Sequence, residues 1–447
     1  MVRVLLVGSG GREHAMADAL ARADGCELYS FMSARNPGIM RLSEEWAVGD
    51  ICDAVSVAKW AQTRKVEVAV IGPDAAFEKG VVDELEKNEV LVCGPSRAAA
   101  RIEWDKSFAR ELMRKNKIAG CPKFLATGDA REAADFIDEL GGAVAIKPAG
   151  LTGGKGVKVT GKQLRDGEEA KRYAAEVISA NIGKLGSVVV EEKLEGEEFT
   201  LQAFVDGRGL AGMPLVQDHK LALEGDKGAN TGGMGSYSDA NHLLPFLSER
   251  ERDEALDIMR STVSALAKAG APYRGILYGQ FMATARGVKV IEFNSRFGDP
   301  EAMNVLPLLE GDFAGIAAGI GEGRLARGEM RFAQKASVCK YLVPEGYPEK
   351  PLKGEPIEVN EDAIGRNGGC RIFYASVDER EGKLLMLGSR TVALVGQGDN
   401  IEEAERRTER ACSHVTGKLF HRRDIGTAEL IKKRIAHMDA LRRKDGG

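Results

Sequence analysis

Oxygen-bearing side chains alternate with apolar ones in the segment Val290–Glu301, which reads VIEFNSRFGDPE. Successive side chains of a β-strand point to opposite faces, so Glu292 and Asn294 are expected on one face together. Carboxylate and amide oxygens are ligands that Mg²⁺ accepts, and Arg296 is suited to the phosphates that Mg²⁺ carries. The segment therefore predicts a hard-cation site that handles a phosphorylated substrate.

A predicted hairpin adds a third ligand to this face. The apolar strands Leu277–Thr284 and Val288–Asn294 flank a three-residue connection that ends in glycine, which is typical of a loop whose last residue is left-handed. If the two residues next to this connection pair, Gln280 lies opposite Glu292, with Cβ atoms roughly 4.5–5.5 Å apart. Gln280 is therefore predicted as a metal ligand. The alternative is a polar strand face turned to solvent.

A glycine-rich loop follows the apolar strand that Lys147 ends, and it runs from Gly150 to Gly156. Its glycines let the backbone approach a polyphosphate closely, and Lys155 adds a mobile cation. The P-loop pattern fails, because glycine follows this lysine and another strand comes next. The loop is therefore predicted to be a flap over phosphates, the alternative being a plain hairpin with a surface lysine. The predicted contacts are Lys147, Gly153, Gly154, Lys155 and Gly156.

The acidic segment 188–199 is predicted to be a strand, a short connection and another strand. In isolation such a segment is a solvated loop, and its position after a phosphate loop favours nucleotide contacts instead. Backbone atoms near Glu191 and Leu194 could read an adenine edge, and the carboxylate of Glu198 could accept hydrogen bonds from both ribose hydroxyls.

The loop Gly8–Arg12 follows a strand and opens a helix. Glu13 stands where a dinucleotide fingerprint has its third glycine, and no acidic residue closes the second strand, which argues against NAD. A loop at a helix N-terminus still binds anions, and Arg12 adds a guanidinium fork. The alternative for this loop is a structural turn with a solvated arginine. Two further candidate loops follow neighbouring strands at the same sheet edge. The predicted substrate-binding residues are Gly10, Gly11, Arg12, Asn36, Gly38 and Asp74.

The segment 217–235 is polar and glycine-rich, and it is predicted to be a long loop. Long loops in compact domains are commonly functional or disordered, so the alternative is an unstructured insertion. We expect Asp218 and Lys220 to supply charge pairing, whereas His219 is not assigned proton transfer. The backbone amides predicted to bind a carboxylate or an acyl phosphate belong to Gly232, Gly233, Met234 and Gly235.

The pattern of strands and helices predicts three units. The first alternates buried strands with helices and is expected to be a doubly wound parallel α/β domain over 1–102. The second, 103–325, begins with a helix over 96–116 and is α+β with antiparallel sheets, its flap lying within about 121–200. The third, 326–447, is a small α+β domain with a helix over 401–419.

Composition excludes several classes of protein. The net charge of −4 gives no reason to expect nucleic acid or an anionic membrane as partner, and no apolar run approaches a membrane span. The N-terminus lacks signal-peptide features, so a cytoplasmic location is expected. The seven cysteines are scattered without C-x-x-C and the six histidines without H-E-x-x-H, so neither a zinc site nor a disulfide framework is expected.

Six motifs in order resemble the phosphoribosylamine–glycine ligases, also called glycinamide ribonucleotide synthetases, of the ATP-grasp superfamily. They are GSGGREHA (8–15), IGPDAAFEKGVVD (71–83), AIKPAGLTGGKGV (145–157), QDHK (217–220), NTGGMGSYS (230–238) and IEFNSRFGDPE (291–301). The resemblance covers essentially the whole chain. It implies a central ATP-grasp domain and formation of glycinamide ribonucleotide from glycine, 5-phosphoribosylamine and ATP through glycyl phosphate, in the second step of purine biosynthesis.

The resemblance also implies residue roles. Lys106 joins Lys147 and Lys155 on the nucleotide phosphates, Glu292 and Asn294 hold Mg²⁺ or Mn²⁺, and the predicted catalytic residues are Arg296, Lys220 and Asp218. Many members of the family have an acidic residue where Pro148 stands and alanines where Thr152-Gly153 stand, which bears on the mobility of the flap. The expected partners are small molecules, and the expected state is a monomer or weak homo-oligomer.

Three alternatives stay open at this point. Another ATP-grasp enzyme, such as a different carboxylate–amine ligase or a purine carboxylase, is opposed by the substrate loops at 8–14 and 217–235. A nicotinamide-dependent dehydrogenase is opposed by Glu13. A non-catalytic nucleotide-binding module is opposed by the intact set of Lys147, Glu292 and Asn294.

Overall fold

The computed structural model describes residues 1–152, 156–325, 330–366 and 368–445. No helix within these ranges is both long enough and apolar enough to cross a membrane. The predicted flap residues Gly153, Gly154 and Lys155 lie outside the described residues.

The N-terminal unit is built on a parallel sheet with helices between its strands. Its elements are β1 (Val2–Val7), α1 (Gly11–Ala21), β2 (Cys26–Met32), α2 (Pro37–Leu42), β3 (Glu45–Val48), α3 (Ala54–Thr63), β4 (Val68–Ile71), α4 (Asp74–Glu78), α5 (Val81–Lys87) and β5 (Leu91–Cys93). The strand order is β3-β2-β1-β4-β5, and all four pairings are parallel. The doubly wound prediction is confirmed. The order reverses between β1 and β4, so the loops after these strands flank the crevice where such sheets bind ligands.

Two helices occupy the stretch predicted as one helix over 96–116. They are α6 (Arg97–Trp104) and α7 (Lys106–Lys115). Asp105 breaks the helix because its backbone is extended, and its carboxylate accepts a hydrogen bond from the amide of Phe108 and so caps α7. The break places Lys106 at the start of a helix, at the mouth of the pocket described below.

The central unit holds two antiparallel sheets. Its elements up to the second sheet's end are β6 (Phe124–Thr127), α8 (Ala130–Glu139), β7 (Val144–Pro148), β8 (Lys158–Val159), α9 (Gly167–Ser179), β9 (Val188–Glu192), β10 (Glu197–Asp206), β11 (Leu210–Gly212), α10 (Glu249–Lys268), β16 (Arg274–Thr284) and β17 (Gly287–Asn294). One sheet has the order β6-β9-β7-β8, and the other has the order β11-β10-β16-β17. The predicted antiparallel sheets are confirmed, and β10 follows β9 directly, which carries the chain from the first sheet to the second.

The hairpin of β16 and β17 is one residue tighter at its tip than predicted. Thr284 pairs with Gly287 rather than with Val288, although Gly287 is left-handed with φ 97° as the pattern required. A β-bulge at Ile291 then shifts the register by one residue, because Phe281 pairs with Val290 whereas Gln280 pairs with Glu292. The shorter turn and the bulge each shift the register by one residue, in opposite directions. The predicted pairing of Gln280 with Glu292 is therefore confirmed.

The segment 217–235 is not the long loop that was predicted. It contains β12 (Gln217–Asp218), β13 (Leu221–Leu223) and β14 (Lys227–Asn230), and it leads into β15 (Gly235–Ser238). The apolar pattern did not indicate these strands, because each has only two to four residues and few of them are apolar. The strands β13 and β14 form a hairpin, whereas β12 and β15 pair with each other.

The C-terminal unit packs its helices on a mixed set of antiparallel strands. The remaining elements are α11 (Glu301–Val305), a 3₁₀ turn (Leu306–Leu308), β18 (Leu309–Glu310), α12 (Phe313–Gly321), β19 (Arg331–Phe332), β20 (Ala336–Pro344), β21 (Pro356–Val359), α13 (Glu361–Arg366), β22 (Cys370–Tyr374), β23 (Val377–Arg380), β24 (Lys383–Met386), β25 (Val392–Gly398), α14 (Ile401–Cys412), β26 (Val415–Thr416), β27 (Leu419–Phe420) and α15 (Ala428–Asp445). The main sheet has the order β12-β15-β20-β25-β22. The helix predicted over 401–419 is wrong at its end, since α14 stops at Cys412 and two short strands follow.

Candidate active site

The predicted metal ligands lie on the β16–β17 hairpin beside a cluster of charges. Gln280 donates a hydrogen bond from Nε2 to Glu198 Oε2 at 2.6 Å, and the Lys220 ammonium lies 3.6 Å from the same oxygen. The other end of the Gln280 amide, Oε1, is buried and has no hydrogen-bond partner among the described residues. A buried acceptor without a partner is costly, and a cation is the kind of group that would satisfy it.

Cations surround the Glu292 carboxylate. Burial alone would raise the pKa of Glu292, but Lys220, Lys106 and Lys147 outweigh it and lower that pKa below its usual value. Glu292 is therefore charged in this site. This arrangement can hold a divalent cation together with polyphosphate. The carboxylate can bind the cation, and the surrounding ammonium groups can bind the phosphates.

A buried ion trio forms the floor of the neighbouring pocket. Arg110 makes a bidentate contact with Glu191 at 2.7 and 3.0 Å, and the Lys147 ammonium lies 2.8 Å from the same carboxylate. Arg110 also donates to the backbone carbonyls of Val290 and Ile291 at 3.0 and 2.8 Å. The Glu191 side chain is thus committed within the protein, and only its backbone remains as the predicted adenine contact.

The pocket above this trio collects residues from four parts of the chain. Its lining is Ile102, Glu103, Lys106, Ala109, Arg110, Lys147, Glu191, Ile291, Glu292 and Phe293. Lys106 donates to the carbonyl of Gly150 at 3.2 Å, so it sits at the base of the predicted flap. At the far end of the flap, the amide of Gly156 donates to Thr152 Oγ1 at 3.2 Å, which ties together the two described ends of this loop.

The N-terminal loop joins the strand end after β17 through two arginines. Arg12 and Arg296 both donate to the carbonyl of Phe297, each at 3.2 Å. Glu13 turns back on the loop, accepting from the amide of Gly10 at 2.7 Å and pairing with Arg12. The carboxylate of Glu13 occupies the space beside Gly8 and Gly10 that a dinucleotide fingerprint leaves open, which explains in physical terms why that motif fails here.

Arg296 lies among acidic side chains. Its guanidinium is 3.2 Å from Glu103, and its Nε is buried with no partner among the described residues. Although burial acts in the other direction, Glu103 and Asp74 raise the pKa of Arg296, so it stays charged. Burial raises the pKa of Glu103 to about 7. The prediction missed Glu103, because it lies on α6 and meets Arg296 only through the fold.

Two predicted substrate ligands are used by the protein itself. The Asn36 side chain is fully buried, accepts from the amides of Gly38 and Ile39, and donates to the carbonyls of Ser9 and Tyr374. All four of its hydrogen-bonding positions are therefore filled within the protein, and its role in substrate binding stays a prediction. The Gly38 amide is likewise engaged, and the glycine is needed because the ring of His14 packs against it.

Replacing Gly38 by alanine should destabilise the protein by about 1–3 kcal/mol, the usual range for overpacking. A Cβ there would lie 1.8 Å from His14 Cε1, and His14 is held in place because its Nδ1 accepts from the amide of Tyr374 at 2.8 Å. Denaturant unfolding measures the loss. The control is Gly365→Ala in α13, where a Cβ would meet nothing within 4 Å; an equal loss in both variants would contradict this packing account.

The glycines of 232–235 pack tightly and offer fewer free amides than predicted. The amide of Gly233 donates to Thr231 Oγ1 at 3.0 Å, and that of Met234 donates to the carbonyl of His219 at 2.8 Å. Both amides are therefore bonded within the protein, and their contacts to an anion stay predictions. Gly235 belongs to β15 and pairs with Lys340, so its backbone serves the sheet.

Arg390 is a further residue that the sequence did not indicate. It donates to the carbonyls of Gly232 and Asp299 at 2.5 and 2.7 Å, which binds the C-terminal unit to the glycine segment.

The predicted catalytic residue Asp218 has a raised pKa. Burial contributes most and the neighbouring Glu301 carboxylate adds to it, so the pKa lies well above its usual value although Lys220 and Arg390 lower it. Asp218 also accepts from the amide of His219 at 2.7 Å.

Family models match most of the chain. Three models of phosphoribosylglycinamide synthetase match in order: the N domain over 2–103, the ATP-grasp (A) domain over 104–302 and the C domain over 337–428. A Methanobrevibacter smithii protein named phosphoribosylamine–glycine ligase is 51% identical over 440 residues, covering 98% of this chain and 100% of that protein. A Methanopyrus kandleri protein of the same name is 52% identical over 449 residues, covering 99% and 100%.

Solved structures give the same result. The phosphoribosylamine–glycine ligase of Thermotoga maritima superposes with a TM-score of 0.80 at 29% identity, covering 95% of this chain and 100% of that one. The biotin carboxylase domain of the Hydrogenobacter thermophilus 2-oxoglutarate carboxylase, at 17% identity and a TM-score of 0.70, shares the fold; it covers 100% of this chain and 95% of that one. With all three domain models matched in order and relatives at about half identity over nearly the full length, the chain belongs to the phosphoribosylamine–glycine ligase family.

Proposed function

We propose that this chain joins glycine to 5-phosphoribosylamine at the expense of ATP, giving glycinamide ribonucleotide, ADP and phosphate. The observation that carries this is the convergence of Glu292, Gln280, Lys147 and Lys220 beside a pocket in a chain that matches its family from end to end. The glycine carboxylate attacks the γ-phosphate to form glycyl phosphate. The amino group of 5-phosphoribosylamine then attacks the carbonyl carbon of glycyl phosphate, and phosphate leaves with one of the former carboxylate oxygens.

The nucleotide is assigned to the pocket between the two central sheets. Lys147 and Lys106 both line it, and Lys106 also donates to the carbonyl of Gly150, where the predicted flap begins. Phosphoryl transfer needs positioning and charge neutralisation more than a covalent nucleophile, and these lysines supply both. The proposed nucleotide contacts are Lys106, Lys147, Gly153, Gly154, Lys155, Gly156, Glu191, Leu194 and Glu198.

A divalent cation, Mg²⁺ or Mn²⁺, is proposed at Glu292, Asn294 and Gln280. These residues fit it, because Gln280 Oε1 is a buried acceptor that lacks a partner in the described structure and Glu292 is held in its charged form. Such an ion neutralises charge on the terminal phosphates. Glu198 orients the Gln280 amide through a hydrogen bond of 2.6 Å, which turns the free oxygen away from it.

The substrate side is assigned to the crevice next to β1 and β4. Arg12 and Arg296 converge on the Phe297 carbonyl and present two guanidinium groups to an anion, while Asp74 lies close enough to raise the pKa of Arg296. Asp218 and Lys220 are proposed to complete the substrate side. An acyl phosphate survives only where water is excluded, and the low side-chain exposure of Arg12 and Arg296, 11% and 20%, favours this.

Omitting one substrate at a time tests the proposal. Phosphate release from ATP should require both glycine and 5-phosphoribosylamine. Release independent of either substrate would refute this function, and binding of ATP without any release would indicate a nucleotide-binding module. A cytoplasmic location and a monomer or weak homo-oligomer remain predictions from the sequence.

Replacing Gln280 by alanine should raise the Mg²⁺ concentration needed for half-maximal rate by about tenfold, a smaller loss than that of a carboxylate ligand. The change removes the free Oε1 and also releases Glu198 from its hydrogen bond. Rates measured across a Mg²⁺ titration report the shift. Thr262→Ala on the adjacent α10 is a buried control outside the site, and an unchanged Mg²⁺ dependence in Gln280→Ala would refute the ligand assignment.

A further inference from the structure

Three potential metal ligands meet in the C-terminal unit. They are Glu409, Cys412 and His421, and their ligand atoms all lie within 4.8 Å of one another. No spacing motif in the sequence indicates them, because His421 is brought to the other two by the turn through β26 and β27. They are the one His/Cys/Asp/Glu grouping of this kind found among the described residues.

The helix positions two of the three ligands. Glu409 and Cys412 are three residues apart at the end of α14, so they lie on the same face of the helix. Cys412 is buried, whereas Glu409 is half-buried. His421 Nε2 lies 3.3 and 3.1 Å from the two carboxylate oxygens of Glu409. The side chain of His421 is 14% exposed.

These distances are near those of a tetrahedral site. Zinc bonds of ~2.3 Å to sulfur and ~2.0–2.2 Å to nitrogen or oxygen place ligand atoms roughly 3.3–3.6 Å apart. The imidazole nitrogen and the carboxylate oxygens, 3.1 and 3.3 Å apart, are close to that spacing, and the sulfur lies within 4.8 Å of the other ligand atoms. The cluster also borders an open pocket lined by Ser413, Gly417, Phe420 and Arg423, which provides an entry path and room for a water ligand.

The surrounding charges suit a dication bound by a thiolate. Lys340 is fully buried and donates to Glu405, Glu409 and the carbonyl of Arg423 at 2.7, 2.8 and 2.8 Å. Lys340 and His421 Nε2 both contact Glu409 Oε2, at 2.8 and 3.1 Å, while Oε1 lies 3.3 Å from His421 Nε2 and 3.7 Å from Arg423 Nε. When a dication replaces the thiol proton of Cys412, the net gain is one positive charge. Glu405 and Glu409 together carry two negative charges against the single ammonium of Lys340, so this gain has a counter-charge next to it.

We propose that Glu409, Cys412 and His421 bind a transition-metal dication of the Zn²⁺ class, with solvent as the fourth ligand. Sulfur, imidazole nitrogen and carboxylate oxygen together select such ions over Mg²⁺. The site is separate from the hard-cation site at Glu292, whose side chains offer oxygen alone. The proposal stands independently of the catalysed reaction.

Co²⁺ titration of the full-length reduced chain tests the proposal, with Mg²⁺ in excess to fill the hard-cation site. One equivalent of Co²⁺ should produce a thiolate-to-cobalt charge-transfer band in the near ultraviolet, and Zn²⁺ should displace it. Cys412→Ser should abolish the band. The His421 side chain is more exposed than that of Cys412, so the fold should tolerate His421→Ala more readily. This variant should weaken Co²⁺ binding at least about tenfold, since even residues that only support a metal ligand contribute that much.

The matched control is Cys52→Ser, a half-buried cysteine in the N-terminal unit, which should leave the band unchanged. Absence of the band in the unmodified chain would overturn the proposal. Persistence of the band in Cys412→Ser, or unchanged affinity in His421→Ala, would overturn it as well, because the cobalt would then be bound elsewhere.

Discussion

Replacing Glu292 by alanine should lower the rate of glycinamide ribonucleotide formation by about 1000-fold or more, which corresponds to ~4 kcal/mol of transition-state stabilisation. The variant removes the only carboxylate among the three proposed metal ligands. It also leaves Lys220, Lys106 and Lys147 without the charge that they surround. The rate is measured with saturating ATP, glycine and 5-phosphoribosylamine over a range of Mg²⁺ concentrations.

Glu310→Ala serves as the control for this variant, because Glu310 is an exposed glutamate at the end of β18. It should retain the parent rate. If Glu292→Ala kept near-normal activity at low Mg²⁺, the assignment of Glu292 to the metal would be refuted.

Replacing Glu191 by glutamine should destabilise the protein by about 3–5 kcal/mol, the usual loss when one partner of a buried ion pair is removed. Arg110 and Lys147 would then share a buried space without the anion that both contact. Their side chains are only 4% and 6% exposed, so water cannot replace the lost charge. Denaturant unfolding gives the loss of stability, and the KM for ATP should rise because Lys147 loses the partner that holds it.

The matched control is Glu111→Gln on α7. Glu111 pairs with Arg114 at 2.6 Å, and that arginine side chain is 66% exposed. A surface pair of this kind contributes about 0–1 kcal/mol, so the control should remain close to the parent protein. Comparable losses in both variants would contradict the claim that burial makes the Glu191 trio essential.

The sequence predicted the strands better than it predicted the local breaks and short pairings. Apolar runs in the sequence predicted the buried parallel strands β1, β2, β4 and β5, and these strands predict the N-terminal sheet. The break at Asp105 depends on a single capping carboxylate, and β15 depends on a partner in β20 that lies a hundred residues away. The apolar pattern of a short stretch of sequence does not show which distant residues will pair with it.

Some residues of the candidate site could be predicted from the sequence and others could not. Glu292 and Asn294 follow from strand alternation, and the pairing of Gln280 follows from the hairpin, although a bulge at Ile291 was needed to restore it. Arg110, Glu103 and Arg390 could not be predicted, because each is an ordinary surface-type residue that the fold buries against a partner far along the chain. Asn36 shows the reverse case: its motif suggested a ligand, and the structure uses all of its hydrogen bonds internally.

Oxygen transfer from glycine to phosphate tests the central claim most directly. With glycine labelled by ¹⁸O in its carboxylate, turnover through glycyl phosphate predicts that each phosphate released carries one labelled oxygen, and that its formation requires the amine. Mass spectrometry of the phosphate gives the answer. Phosphate free of label, formed while glycinamide ribonucleotide accumulates, would contradict attack of the glycine carboxylate on ATP and with it the mechanism assigned to this site.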